Sequence, residues 1–190
     1  MVKYYTGIAG TEVTDLTSNA KYPGTPDEVR TLTKGSLETE SDAGDNYGAV
    51  LEGFVKAPVT GKYKFLLSTP NSAQVWVQKN PEADGDAFGM TKVVELTMTS
   101  NPTQEVEGDI VVEWAAGKLY FIKAILKQAT QSGPMQIGMQ IVDGVKYMPI
   151  PLSMCAGTGN TVVPDPGVDR SERTLNINLL FSVSLALSCR

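Results

Sequence analysis

Among the residues able to do chemistry, the absences decide first. The chain contains no histidine, which removes Ser-His-Asp triads, imidazole zinc sites and the commonest general base. Its two cysteines, Cys155 and Cys189, are too far apart for a metal-ligand pair motif and too few for a disulfide framework, and one bridge between them stays open. The 21 acidic residues offer many carboxylate pairs but single out none. Glycoside hydrolysis needs two carboxyls held about 5–10 Å apart across a cleft, so the sequence reads as non-catalytic.

What remains is binding chemistry. Glu82, Asp84 and Asp86 set three carboxylates at alternate positions around Gly85, a cluster that a hard cation could take, although such spacing is more often an ordinary acidic loop tip. Asp42, Asp45 and Asn46 carry the same two readings. Trp76, flanked by Gln74 and Gln78 on one strand face, could offer a sugar ring an apolar platform with amides to bond its hydroxyls; the alternative is a packing contact. Asn71, in the loop that feeds this strand, joins them because loops on a rigid scaffold carry binding residues. The ligand-binding set is therefore Asn71, Gln74, Trp76 and Gln78. No cofactor is required, and calcium at Glu82, Asp84 and Asp86 is the one metal alternative.

The elements that must position these residues are strands. From Asn46 onward, short period-two runs bounded by Gly, Pro, Asn and Asp recur at the spacing of an all-β sandwich. Tyr47, Ala49, Leu51 and Val55 fall on one face, and Tyr63, Phe65 and Leu67 follow the turn Ala57 to Gly61, which predicts a hairpin. Ala73, Val75 and Val77 alternate with Gln74, Trp76 and Gln78, so Trp76 points away from its strand's aliphatic face. A strand over Val93 to Met98 follows the acidic loop, before a break at Asn101-Pro102. A second hairpin is predicted from Ile110–Trp114 through Ala115–Lys118 into a long strand with Tyr120, Ile122, Ala124 and Leu126. Met135, Ile137, Met139 and Ile141 alternate next, and Asp143-Gly144 supplies a tight turn before Val145 to Met148. Nearer the N-terminus, Thr25-Pro26-Asp27-Glu28 has the form of a capping box with proline at the first helical position and predicts a short helical turn.

The chain divides into a sandwich over 1–157, a Pro/Gly linker over 158–174 and an apolar strand-like tail over 175–190. In the tail Leu175, Ile177 and Leu179 and then Phe181, Val183, Leu185 and Leu187 alternate with Asn and Ser in two strand-like registers. That segment is too short and hydroxylated to span a bilayer as a helix, and it is expected to pair with a sheet edge. A net charge of −5 with 16 scattered Lys and Arg disfavours nucleic acid.

Tyr4-Tyr5-x-Gly7, Tyr22-Pro23, the block Asn46 to Pro58, Thr60-Gly61-x-Tyr63-x-Phe65, Trp114, Ala116-Gly117-Lys118-x-Tyr120 and Pro149-Ile150-Pro151 together resemble the anthrax protective-antigen-type domain, the PA-fourteen domain, over nearly all of Val2 to Leu152. The resemblance implies an antiparallel β-sandwich with jelly-roll character, found in adhesins and toxins and as an accessory module of glycosidases, usually outside the cell. Calcium-using lectin members place an Asp-Asp pair just after the Tyr-x-Phe strand; Pro70-Asn71 stands there in this chain. The functional expectation is an extracellular or cell-surface binding module for glycan, acting through loops at one end of the sandwich. The alternative is a structural or adhesive subunit that packs against neighbouring surface proteins or copies of itself without binding sugar.

Overall fold

The computed structural model describes residues 1–41, 43–80, 89–98 and 105–156. Asp42, the acidic loop with Glu82, Asp84 and Asp86, the Asn101-Pro102 break, and the expected linker and tail lie outside the described residues.

Two antiparallel sheets face each other. In the first, β1 (Val2–Tyr5) lies between β2 (Glu28–Arg30) and β3 (Tyr47–Lys56); β9 (Leu119–Gln128), β5 (Ser72–Gln78) and β6 (Met90–Leu96) continue the row, and β12 (Cys155–Ala156) pairs with the end of β3. In the second, β4 (Gly61–Ser68) is flanked by β10 (Gln136–Ile141) on one side and by β7 (Glu105–Glu107) and β8 (Val112–Trp114) on the other, with β11 (Lys146–Tyr147) beyond β10. The chain passes from sheet to sheet at β3–β4, β4–β5, β6–β7, β8–β9, β9–β10 and β11–β12. This alternation is the jelly-roll habit of an all-β sandwich.

The expected faces meet in the middle. Tyr47, Ala49, Leu51 and Val55 of β3 and Tyr63, Phe65 and Leu67 of β4 are all buried, with Val75, Ile122, Ala124, Ile137 and Met139 among them. Trp114 is the hub: it stacks on Tyr120 at 4.3 Å, takes Phe65 edge-on at 5.3 Å and donates its indole N–H to the Gln78 carbonyl at 3.1 Å. A buried indole N–H needs such a partner.

Both hairpins predicted around the early turns are corrected. β3 and β4 lie in opposite sheets, as do β8 and β9. The segments Ala57–Thr60 and Ala115–Lys118 are arches over one end of the sandwich, tied by Ala57 N–H to Lys118 O and Gly117 N–H to Ala57 O. Alternation reports that two strands share an interior, and it does so identically whether they pair edge to edge or face each other across the core. The Asp143-Gly144 hairpin does form, joining β10 to β11. Its left-handed residue is Asp143, at φ 58°, and Gly144 instead sits close to Ile141, where an added Cβ would meet side-chain carbon at 3.1 Å.

The helical turn is displaced from its predicted place. α1 spans Val13–Thr17, with the Asp15 carboxylate accepting from the Glu12 N–H at 2.8 Å, whereas Glu28 opens β2. Asp27, inside the supposed capping box, is taken by the Thr6 N–H at 2.7 Å. α1 buries Val13 and Leu16 with Tyr5, Ile8, Val50 and Ile125, a second small core on the outer face of the first sheet.

Candidate functional site

The outer face of the first sheet is half covered. The Tyr5–Ile8 segment and α1 close one end, and β5 and its neighbours present the rest. On β5, Ala73, Val75 and Val77 face the core, which sends Gln74 and Trp76 outward. In register, Trp76 lies beside Lys123 of β9 and Lys92 of β6, and Gln74 beside Ile125 and Glu95.

A β-bulge shapes this face. Val75 pairs with Val94 but Trp76 pairs with Lys92, leaving Val93 as the extra residue on β6. Both Val93 and Val94 are buried, so Lys92 and Glu95, three apart, reach the same side and form an ion pair. A strict period of two would have set them on opposite faces. Gly108 makes room behind the bulge, since a Cβ there would stand 1.8 Å from the Val93 carbonyl oxygen.

The polar groups beside Trp76 form a chain. Its indole N–H donates to Gln74 Oε1 at 3.3 Å, Gln74 Nε2 donates to Glu95 Oε1 at 2.6 Å, and Lys92 holds the other carboxylate oxygen. The Lys92 ammonium keeps the Glu95 carboxyl below its ordinary range, with Gln74 adding to the effect. Glu95 is therefore an ionised acceptor and not a proton donor at neutral pH. Trp76 is half-buried, leaving part of the ring open. Further along the face Phe54 and Phe121 pack edge to face at 5.3 Å, and Lys123 donates to the Tyr22 hydroxyl at 2.8 Å.

The other two ligand-binding candidates sit elsewhere. Gln78 is buried, and its Oε1 accepts the Phe121 N–H, ending the β5–β9 ladder. Asn71 is fully buried at the loop end: its Nδ2 donates to Gln128 Oε1 at 3.3 Å and to the Gln131 carbonyl at 2.9 Å. Tyr47 donates to the same Gln128 oxygen, and Gln128 Nε2 donates to the Gly44 carbonyl. A ligand in solvent meets neither Asn71 nor Gln78, because each has been spent on a backbone or side-chain partner inside. Lys92 and Glu95 are the residues sequence reasoning missed. The one signal available was the adjacent apolar pair Val93-Val94, which breaks alternation.

Asn71 Oδ1 is buried without a hydrogen-bond partner, which invites a test for the cation that the resemblance implies. A hard divalent cation takes six to eight oxygens, several of them anionic. Pro70 supplies no side-chain oxygen and Asn71 one neutral one, so this pair does not fit the ion. Among the described residues no group of three or more His, Cys, Asp or Glu could hold a metal.

A two-sheet sandwich with an open aromatic and amide face is the architecture of a β-sandwich binding module. The chain belongs to the PA14 domain family: the profile of that domain matches residues 9–151. Among solved structures, an anti-sigma factor domain-containing protein from Clostridium clariflavum is similar at 14% identity and a TM-score of 0.56, covering 87% of this chain and 49% of that one. The PA14 domain of the MpAFP antifreeze protein is similar at 13% identity and a TM-score of 0.57, covering 86% of this chain and 92% of that one. The A domain of Epithelial Adhesin 9 from Candida glabrata, solved with Galβ1-3GlcNAc, matches at 21% identity and a TM-score of 0.42, covering 61% and 56% of the two chains. For the anti-sigma factor domain-containing protein and the antifreeze PA14 domain the likeness is one of fold. The chain spans about half the length of the anti-sigma factor domain-containing proteins it matches. No curated protein matches the sequence.

Proposed function

We propose that this PA14 domain is an extracellular or cell-surface, non-catalytic module that recognises carbohydrate on the outer face of the first sheet, at Trp76 and Gln74. The observation that carries the reading is the half-buried indole of Trp76, bonded into the Gln74–Glu95–Lys92 chain. The ring offers an apolar plane to a sugar's C–H face, and the amide, carboxylate and ammonium around it can exchange hydrogen bonds with hydroxyls. Because the chain already fixes their rotamers, little ordering entropy is left to lose on binding. Two carboxylates of this face are committed to lysines, Glu95 to Lys92 and Glu52 to Lys3, which supports binding over acid-base catalysis.

A glycan array probed with the wild-type chain and with Trp76→Ala tests this. Retention by the wild type, lost in a variant that remains folded, is the expected result. Silence of the wild type, or equal retention by both, overturns it. A second reading, assembly through protein contacts without sugar, is supported by the edge strand β2, where Val29 is 50% exposed. Array silence together with self-association in light scattering would select that reading.

A further inference from the structure

On the outer face of the first sheet, the lysines and carboxylates around Trp76 do not cancel. Glu95 is committed to Lys92 and Gln74. Glu52 is shared by two lysines: Lys3 holds its Oε2 at 2.6 Å, and Lys123 stands 3.8 Å from its Oε1, beyond hydrogen-bond reach. Lys123 spends one of its three N–H donors on the Tyr22 hydroxyl at 2.8 Å, a neutral acceptor, and its ammonium lies 5.5 Å from the centre of that ring. Lys3, Lys92 and Lys123 thus meet only Glu52 and Glu95 as ion-pair partners among the described residues, and the charge left over falls on Lys123, whose side chain is 25% exposed.

The sign of charge also divides along β5. Lys123 is the register partner of Trp76 on β9, which sets their Cβ atoms about 4.5–5.5 Å apart on one face. On the other side of Trp76, Gln74 leads to Glu95 and to Glu12 just before α1, and the three line a small depression together. Lys127, farther that way, is buried, donates to the Gly10 carbonyl at 2.7 Å and has Asp15 near it, so it offers no charge to a ligand on the face. A sugar lying on Trp76 therefore meets acceptors and negative charge at one edge and an ammonium at the other.

Resting on the reading of Trp76 as a sugar platform, we propose that its ligand is an acidic sugar, a pyranose carrying one carboxylate or sulfate, with Lys123 pairing the anion while hydroxyls at the opposite edge donate to Glu95 and Gln74. A neutral sugar leaves the charge of Lys123 unused, and an acidic one turned the other way brings its anion against Glu95 and Glu12. The net charge of −5 does not oppose this arrangement. At physiological salt, screening acts over about 8 Å, so the groups beside Trp76 set the local field.

The experiment compares retention of the full chain on matched disaccharides: a terminal glucose against its glucuronic acid and glucose 6-sulfate counterparts, and the same series for galactose. One acidic member is expected to be held about fivefold more tightly than its neutral counterpart, the upper range for a partly exposed ion pair, and the member favoured identifies the anion. That ratio should fall toward one as salt rises from about 50 to about 500 mM. Lys123→Gln should abolish the ratio and Lys123→Arg should keep it. Lys62→Gln, on the outer face of the second sheet where Lys62 faces Glu113 at 4.0 Å, should leave it unchanged. Equal retention of acidic and neutral members, lost in both with Trp76→Ala, overturns this inference and leaves the Trp76 platform standing. Silence of the wild type toward every member overturns the platform and the inference together. A ratio that survives Lys123→Gln, or that Lys62→Gln lowers as much, assigns the preference elsewhere and overturns the role of Lys123. If Lys123→Gln does not fold, the wild type decides: a ratio that salt fails to move overturns the inference.

Discussion

Trp76 and Trp114 share a side chain and occupy opposite environments, and substitution separates them. Trp114 is 1% exposed at the centre of an aromatic stack, so Trp114→Ala should cost about 3–5 kcal/mol in urea denaturation, the range for deleting a large buried aromatic. Trp76→Ala removes a half-buried ring from an outer face and should cost about 1 kcal/mol. Equal costs would mean that Trp76 serves packing and not recognition. Calcium is expected to leave the melting temperature unchanged, because a ligand stabilises the native state only as far as it saturates a site and Pro70-Asn71 supplies no carboxylate. A rise of several degrees, abolished by Asp84→Asn with Asp86→Asn, would install the acidic loop as a cation site. The outward aim of Trp76 was legible from period two alone. The fates of Asn71 and Gln78 were not, because a polar residue that satisfies an internal donor looks the same in sequence as one that faces water.

At the scale of elements, Gly144→Val tests the β10–β11 turn. The glycine is not the left-handed residue, so the cost arises from crowding: an added Cβ meets Ile141 carbons at 3.1 Å, and a branched side chain worsens it. A destabilisation of more than about 1 kcal/mol is expected from overpacking, and an unchanged denaturation midpoint would show that Ile141 can move aside. Asp27 locks β1 to the segment before β2 through the Thr6 N–H and the Lys21 ammonium. The Thr6 N–H, followed by Lys21, lowers the Asp27 pKa from its ordinary value. A carboxyl whose folded pKa is depressed stabilises above its unfolded pKa and loses that contribution as pH falls through the folded one. The melting difference between wild type and Asp27→Asn should therefore be present near pH 6 and shrink steadily below pH 4; a pH-independent difference would detach it from ionisation. Strand existence was legible from alternation, with β3, β4, β5, β9 and β10 all close to where the pattern placed them. The arches between sheets were not, since facing and pairing strands bury the same residues. The bulge at Val93 was equally silent, because it is accommodated by the close approach of Gly108, just past the end of β7.

At the scale of the whole molecule, the sandwich closes on itself before the chain's last segment begins. β12 completes its pairing with β3 by Ala156, and among the described residues the buried main core runs from Val2 to Ile150. Truncation after Thr158 should therefore leave a folded domain with the cooperative unfolding of a small β-sandwich. Its stability should differ from that of the full chain by whatever docking of the segment contributes. Sedimentation velocity supplies the second arm. A segment that pairs with its own sheet leaves both forms monomeric, whereas a segment that pairs with a neighbour makes only the full chain associate. Association of the full chain alone would assign the segment to another copy's edge. A truncated chain that fails to fold would show that residues past Thr158 belong to the sandwich itself, against the closure that β12 provides.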